Sequence, residues 1–162
     1  MEMTERQAGF SLLEMLITIA IIGIVSAVAV PVYRTYVETA NMTKVNAAYE
    51  HAIRMSQQEF SKHSTRVAIG LPGTLPDTEE GWIALFNKDG RIKAPGGGPA
   101  YIPRKGKKKM KKRYGDPDAT GAITINYNKK RLRIDIYRPA YLGLKSFRAR
   151  VDPDSVNVKA QH

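Results

Sequence analysis

One side chain near the start of this sequence has the wrong chemistry for its surroundings. Glu14 sits inside LLEMLITIAIIGIVSAVAV, the apolar run from Leu12 to Val30. A carboxylate at hydrocarbon depth is costly unless something pairs with it. No Lys, Arg or His lies between Phe10 and Val32, so the partner must come from another chain or from an amino terminus freed by proteolysis. The second chemical feature has the opposite sign. Residues 104–113 read RKGKKKMKKR, with basic side chains at Arg104, Lys105, Lys107, Lys108, Lys109, Lys111, Lys112 and Arg113. Such a block repels itself and reads as an exposed loop. Three roles stand open for it: a solvated loop without a dedicated partner, electrostatic contact with an acidic surface or polymer (lipid headgroups and glycans included), or binding to the DNA backbone.

Catalysis and metal binding find little support. Cysteine is absent, which excludes disulfides, thiolate metal sites and cysteine nucleophiles. His51, His63 and His162 fall in no metal-ligand spacing, and His51 and His63 read as solvated or helix-end residues. Asp116-Pro-Asp118 and Asp152-Pro-Asp154 offer carboxylate pairs for calcium but lack the glycine and ligand spacing of a known loop. Ala94–Pro99 is turn-rich but lacks the G-K-[ST] ending of a phosphate loop. The expectation is a non-enzymatic chain with no cofactor.

The elements that must carry these features follow from length and periodicity. The chain has 162 residues and a formal charge of +11. Residues 1–60 hold four basic and six acidic side chains, so the remaining 102 residues carry +13. Nineteen residues from Leu12 to Val30 make ~28 Å of helix, close to a bilayer core of ~30 Å. Val45, Ala48, Tyr49, Ala52, Ile53, Ser56 and Phe60 keep helical spacing, which continues the helix as an amphipathic segment. The helix is expected from about Phe10 to Lys62. Asp77-Thr78-Glu79-Glu80 predicts a helix start with Asp77 as the cap, and a short helix over about Thr78–Asn87. Trp82 is expected to anchor it to the long helix. Ala122–Tyr127 and Leu132–Ile136 alternate as strands around an Asn128–Arg131 turn, and Phe147, Ala149 and Val151 mark a third strand. The apolar face of these strands should pack on the long helix. Arg131, Arg133, Arg148 and Arg150 should line the outer face, with Tyr101 or Tyr114 as candidate stacking surfaces for bases.

Gly9-Phe-Ser-Leu-Leu-Glu-Met-Leu16, together with the following V-P-V-Y-R-T-Y-V, resembles the cleavage and N-methylation motif of type IV prepilins and pseudopilins. The resemblance covers Gly9 to about Val37. It implies that a prepilin peptidase cuts after Gly9 and that Phe10 becomes the methylated first residue. Glu14 then matches the family's fifth-residue glutamate, which pairs with the amino terminus of a neighbouring subunit during assembly. Gly23 and Pro31 fall where pilins have helix-loosening residues. By composition alone they mark a simple kink, since proline removes a backbone donor and glycine weakens a helix.

The implied fold is α+β and pilin-like: a long N-terminal helical spine, membrane-inserted in its first half, packed on an antiparallel sheet head. The implied parts are a leader at 1–9, a transmembrane and assembly segment at 10–33, and a head at 34–162. The function implied is a pilus or pilus-like filament subunit serving adhesion, twitching or DNA uptake. The alternatives are a pseudopilin of a type II secretion system and a DNA-binding minor pilin. Its partners would be pilin copies, the peptidase and methyltransferase, and the inner membrane before assembly, with DNA or other polyanions open. The finished filament would be extracellular or periplasmic.

Three departures accompany the resemblance. The leader carries only Arg6 beside Glu2 and Glu5, so charge asymmetry does not support a cytoplasmic N-terminus. Ala27-Val28-Ala29 resembles a signal-peptidase site, which leaves an ordinary secreted protein beginning at Val30 as another reading. Many pilins also close their C-terminal region with a disulfide, which this chain cannot form.

Overall fold

The computed structural model describes residues 9–104 and 112–160. Residues 1–8, in the expected leader, and Lys105, Lys107, Lys108, Lys109 and Lys111 of the basic run lie outside the described residues. Helix α1 spans Leu12–Ala68, and the chain divides into two units within it, after Glu38.

In the first unit α1 has no apolar partner among the described residues. Every described residue from Gly9 to Ala40 is exposed. Backbone groups are nevertheless satisfied locally. The Ser11 hydroxyl accepts the Glu14 N–H at 3.2 Å, and Thr18 and Thr35 donate to the carbonyls of Glu14 and Pro31 at 2.7 and 3.1 Å. Such i−4 bonds hide hydroxyl groups inside the helix, which suits an apolar solvent. The helix is continuous through Gly23 and Pro31.

The second unit is built on the rest of α1. The helix runs beyond Lys62 because no breaker follows the apolar stripe. It ends at Gly70, whose φ of +77° is readily adopted only by glycine. There Gly70 N–H donates to Val67 O and Leu71 N–H to Arg66 O, the paired bonds of a left-handed helix stop. Helix α2 spans Glu79–Phe86. Its cap is Thr78, whose hydroxyl accepts the Gly81 N–H, rather than Asp77; Asp77 instead pairs with Lys129 at 2.7 Å.

Five strands form one sheet in chain order: β1 Tyr101–Pro103, β2 Ile123–Asn128, β3 Arg133–Arg138, β4 Phe147–Val151 and β5 Val156–Ala160. The β1–β2 pair is parallel and the others are antiparallel. A short helical turn, α3, covers Pro117–Thr120. The β2–β3 turn closes with Leu132 at φ +44°, so β3 starts one residue later than alternation suggests.

The inner face of the sheet supplies Tyr101, Ile123, Ile125, Ile134, Ile136, Ala149 and Val151 to one core with Val45, Tyr49, Ala52 and Phe60 of α1. Trp82 is fully buried there, with ring centroids 5.5 Å from Phe60 and Tyr127 and 5.9 Å from Phe86. The sequence-predicted anchoring role of Trp82 is therefore met. The arrangement is α+β, with a long apolar N-terminal helix and a mainly antiparallel sheet.

Candidate functional site

The N-terminal residues singled out by the sequence share one helix start. Phe10 is 78% exposed just before α1. Ser11 takes the cap position and Glu14 the third helical residue, a spacing of the S-x-x-E type found at helix starts. A carboxylate in the first helical turn is favoured by the unsatisfied N–H groups and the positive end of the helix dipole. Local helix chemistry thus accounts for part of Glu14's tolerance of an apolar stretch. Sequence reasoning missed Ser11, although the four-residue pattern carried the signal.

Gly23 faces open space: a Cβ built there meets nothing within 4 Å. No contact within the described residues requires glycine at that position. The segment holding Glu14, Gly23 and Pro31 is long and apolar enough to cross a membrane, and its most apolar window is wholly unburied.

The basic run and the sheet form a second candidate site. Of the run, Arg104, Lys112 and Arg113 are described. Arg104 follows β1, donates its backbone N–H to Ile125 O, and places its guanidinium 3.9 Å from the Tyr137 ring centre. Arg113 lies over Tyr114 at 5.4 Å. Tyr137 is on the outer face of the sheet, opposite Arg148. Arg133, Arg148 and Arg150 share that face, while Arg131 belongs to the β2–β3 turn.

Sequence reasoning overlooked Asp135, which lies among these arginines and is 2% exposed. The signal was present, because the alternation Arg133-Ile-Asp-Ile puts Arg133 and Asp135 on one face.

Two expected roles change. Tyr101 cannot stack on a base. It is buried on the inner face, donates its hydroxyl to Ala48 O at 2.9 Å, and receives His51 Nδ1 at 3.2 Å. Since the tyrosine proton goes to Ala48, His51 Nδ1 must carry a proton to complete the pair. His51 is therefore a half-buried link between α1 and β1 rather than a solvated residue. His63 packs its ring beside Gly73, so closely that an added Cβ there would overlap it.

The aspartate pairs are engaged structurally. Asp116 caps α3 by accepting the Asp118 N–H, and Asp118 accepts the Ala140 N–H. Asp152 accepts the backbone N–H groups of Asp154 and Ser155. No group of three metal-ligating side chains occurs among the described residues.

Comparison with known proteins bears on the N-terminal site. The model of the prokaryotic N-terminal methylation motif matches residues 5–30. The type IV major alpha-pilin of Moraxella bovis is 48% identical over 40 residues, 25% of either chain. The type IV major fimbrial protein FimA of Dichelobacter nodosus is 32% identical over 89 residues, 54% of this chain and 55% of its own. The fimbrial protein EcpC of Eikenella corrodens is 50% identical over 38 residues, 24% of this chain and 25% of its own. The chain spans a quarter to just over half the length of these relatives. No solved structure matches. Over this N-terminal motif and these aligned stretches, the chain is similar to type IV pilins and fimbrial proteins.

Proposed function

We propose that this chain is a structural subunit of a type IV pilus, made as a precursor with a leader at 1–9. Cleavage after Gly9 frees Phe10, which is then methylated. Residues 10–33 hold the subunit in the inner membrane before assembly, and residues 34–162 form the head presented on the filament. The methylation-motif match over residues 5–30, on a helix whose apolar N-terminal stretch is wholly uncovered, carries this reading. The relatives are named pilins and fimbrial proteins, which favours a pilus over a secretion pseudopilus.

The chemistry of assembly follows from Glu14. Cleavage supplies the missing cation as an amino terminus, and a neighbouring subunit brings it to Glu14. Two charges that are costly alone in hydrocarbon become tolerable as a pair. Packing subunits side by side also covers the apolar helix surface. The filament-level work is adhesion, twitching or DNA uptake.

Mass spectrometry of the assembled subunit tests the reading directly. N-methylated Phe10 is the expected terminus; an intact Met1 or a chain starting at Val30 would overturn the processing step. Glu14→Ala should leave the protein in the membrane fraction and lower filament yield by about 10²-fold, the scale of one unpaired charge at depth. Normal filament yield from that variant would remove Glu14 from the mechanism.

A further inference from the structure

Strand β5 ends the sheet, with β4 as its one strand partner among the described residues, and most of its length is exposed. Which of its backbone groups are spare follows from the turn before it. The Asp152 N–H donates to the Ser155 carbonyl at 3.0 Å. That pair continues the register that sets Arg150 across from Asn157 and Arg148 across from Lys159. Hydrogen-bonded pairs alternate along an antiparallel ladder, so Asn157 and Lys159 turn their N–H and C=O groups toward β4. The N–H and C=O groups of Val156, Val158 and Ala160 therefore point to the open edge. Such an edge is a template for another extended chain.

The two faces of β5 define what that chain must carry. Val156, Val158 and Ala160 lie on the core side, opposite Val151, Ala149 and Phe147. Ala149 and Val151 are fully buried, yet Val158 is 51% exposed. A cleft of about 230 Å³ opens on this side, between Gln57, Phe60 and Ser61 of α1 and the β4–β5 turn. On the other face Arg148, Arg150, Asn157 and Lys159 line a cleft of about 250 Å³ that holds no carboxylate. Asp135 lies beside them. Its Oδ1 accepts from Arg148 Nη2 at 2.9 Å and from Arg148 Nε and Arg150 Nε at 3.2 Å, and Arg133 Nη2 lies 3.7 Å from its other oxygen. Three guanidinium charges against one carboxylate leave two positive charges over, and Lys159 has no ionic partner among the described residues. The excess stops at the turn, where Asp152 and Asp154 lie. Asp152 spends its carboxylate there on the N–H groups of Asp154 and Ser155 and on the Ser155 hydroxyl.

We propose that the β5 edge docks an extended segment of another protein in which acidic and apolar residues alternate. The segment adds a sixth strand through the spare backbone groups of Val156, Val158 and Ala160. An apolar residue opposite Val158 covers that valine, and acidic residues opposite Asn157 and Lys159 reach the arginine-lined cleft. Lys159 makes the edge selective: an edge lysine discourages indiscriminate pairing and rewards a carboxylate placed opposite it. A second copy of β5 is the wrong occupant. Paired two-fold about Val158, it would set Lys159 against Asn157 and lay two arginine-rich faces side by side. The described strands of this chain carry a single acidic residue, Asp135, so none of them offers alternating carboxylates. The site is separate from Glu14, so its failure would leave the pilus reading standing.

The test uses the full chain in nonionic detergent micelles and a fluorescent peptide of about seven residues, a common strand length, that alternates glutamate with valine. A peptide of the same composition with its glutamates in one block is the control. The alternating peptide should bind roughly tenfold more tightly than the control, the scale of one hydrogen bond. Val158→Pro removes an N–H that faces the open edge, so pairing with β4 survives. It should weaken the alternating peptide roughly tenfold, with the sheet checked by circular dichroism. Lys159→Glu leaves the backbone intact; it should weaken the same peptide and strengthen binding of one that alternates lysine with valine. Equal binding of the two glutamate peptides, or binding that Val158→Pro leaves unchanged, would reduce the contact to bulk charge attraction and overturn the proposal. Self-association of the peptide-free chain that Val158→Pro abolishes would overturn it too, by assigning the edge to a second copy.

Discussion

The N-terminal helix segment and the head use apolar side chains in opposite ways. From Leu12 to Val37 the large apolar residues are all substantially exposed, whereas Trp82, Tyr101, Phe60 and five sheet isoleucines are almost completely buried. Hydrophobic burial stabilises a fold only where the chain itself supplies the cover. The head supplies its own cover. The helix segment has no such cover among the described residues, so its apolar surface adds nothing by burial to the stability of the isolated chain.

The largest expected effect separates the two regions cleanly. Trp82→Ala should cost about 3–5 kcal/mol of head stability, as a large core aromatic does, whereas Ile19→Ala should leave the head's urea midpoint unchanged. Similar midpoint losses from both would break the comparison. Trp82→Phe sharpens it: the indole Nε1 has no hydrogen-bond partner among the described residues, so this change should cost less than about 1.5 kcal/mol.

The next effect concerns the charged face. Asp135→Ala leaves three arginines without their shared carboxylate and should cost about 1–3 kcal/mol, read as a lowered melting temperature. The arginines keep some water contact, which holds the cost below that of a fully buried pair.

Alkaline pH probes the buried tyrosines of the head. Burial pushes the Tyr49 and Tyr101 hydroxyls up to about 12, with Arg138 opposing the rise at Tyr49. The unfolded value is about 10. A raised acid pKa means the folded state holds its proton longer. The stabilisation is thus complete below about pH 10 and is lost as pH rises through about 12. Thermal melts between pH 9 and 12 should show that fall, and Tyr49→Phe with Tyr101→Phe should flatten it. The smallest effect belongs to Lys129→Ala, since the Asp77–Lys129 pair is exposed on both sides; its melt should shift by no more than about 0.5 kcal/mol in equivalent stability.

Legibility in the sequence divides along the same line. The Leu12–Val30 run, the stripe through Phe60 and three of the strands follow from period alone, because each buries one face or none. Strands β1 and β5 escaped notice for physical reasons. Tyr101-Ile-Pro103 is three residues long, buried on both faces and ends in proline, so it has no alternation to read. Val156–Ala160 is mostly exposed and owes its strand form to pairing with β4. The clustering of Arg148 and Arg150 around Asp135 needed a register across a turn that alternation does not specify. The capping choice of Thr78 over Asp77 depended on where Lys129, at the far end of β2, would lie.

The order of the sheet has a consequence for how the head is made. Strands β1 to β5 lie side by side in the order in which the chain is synthesised. Each strand after the first therefore meets a partner that precedes it, with β3, β4 and β5 each joining an immediate neighbour. Loop closures between them are short and entropically cheap. The sequence contains no cysteine, so no oxidation step stands between the last strand and the finished head. A head of this kind can complete its sheet in a reducing or an oxidising compartment alike.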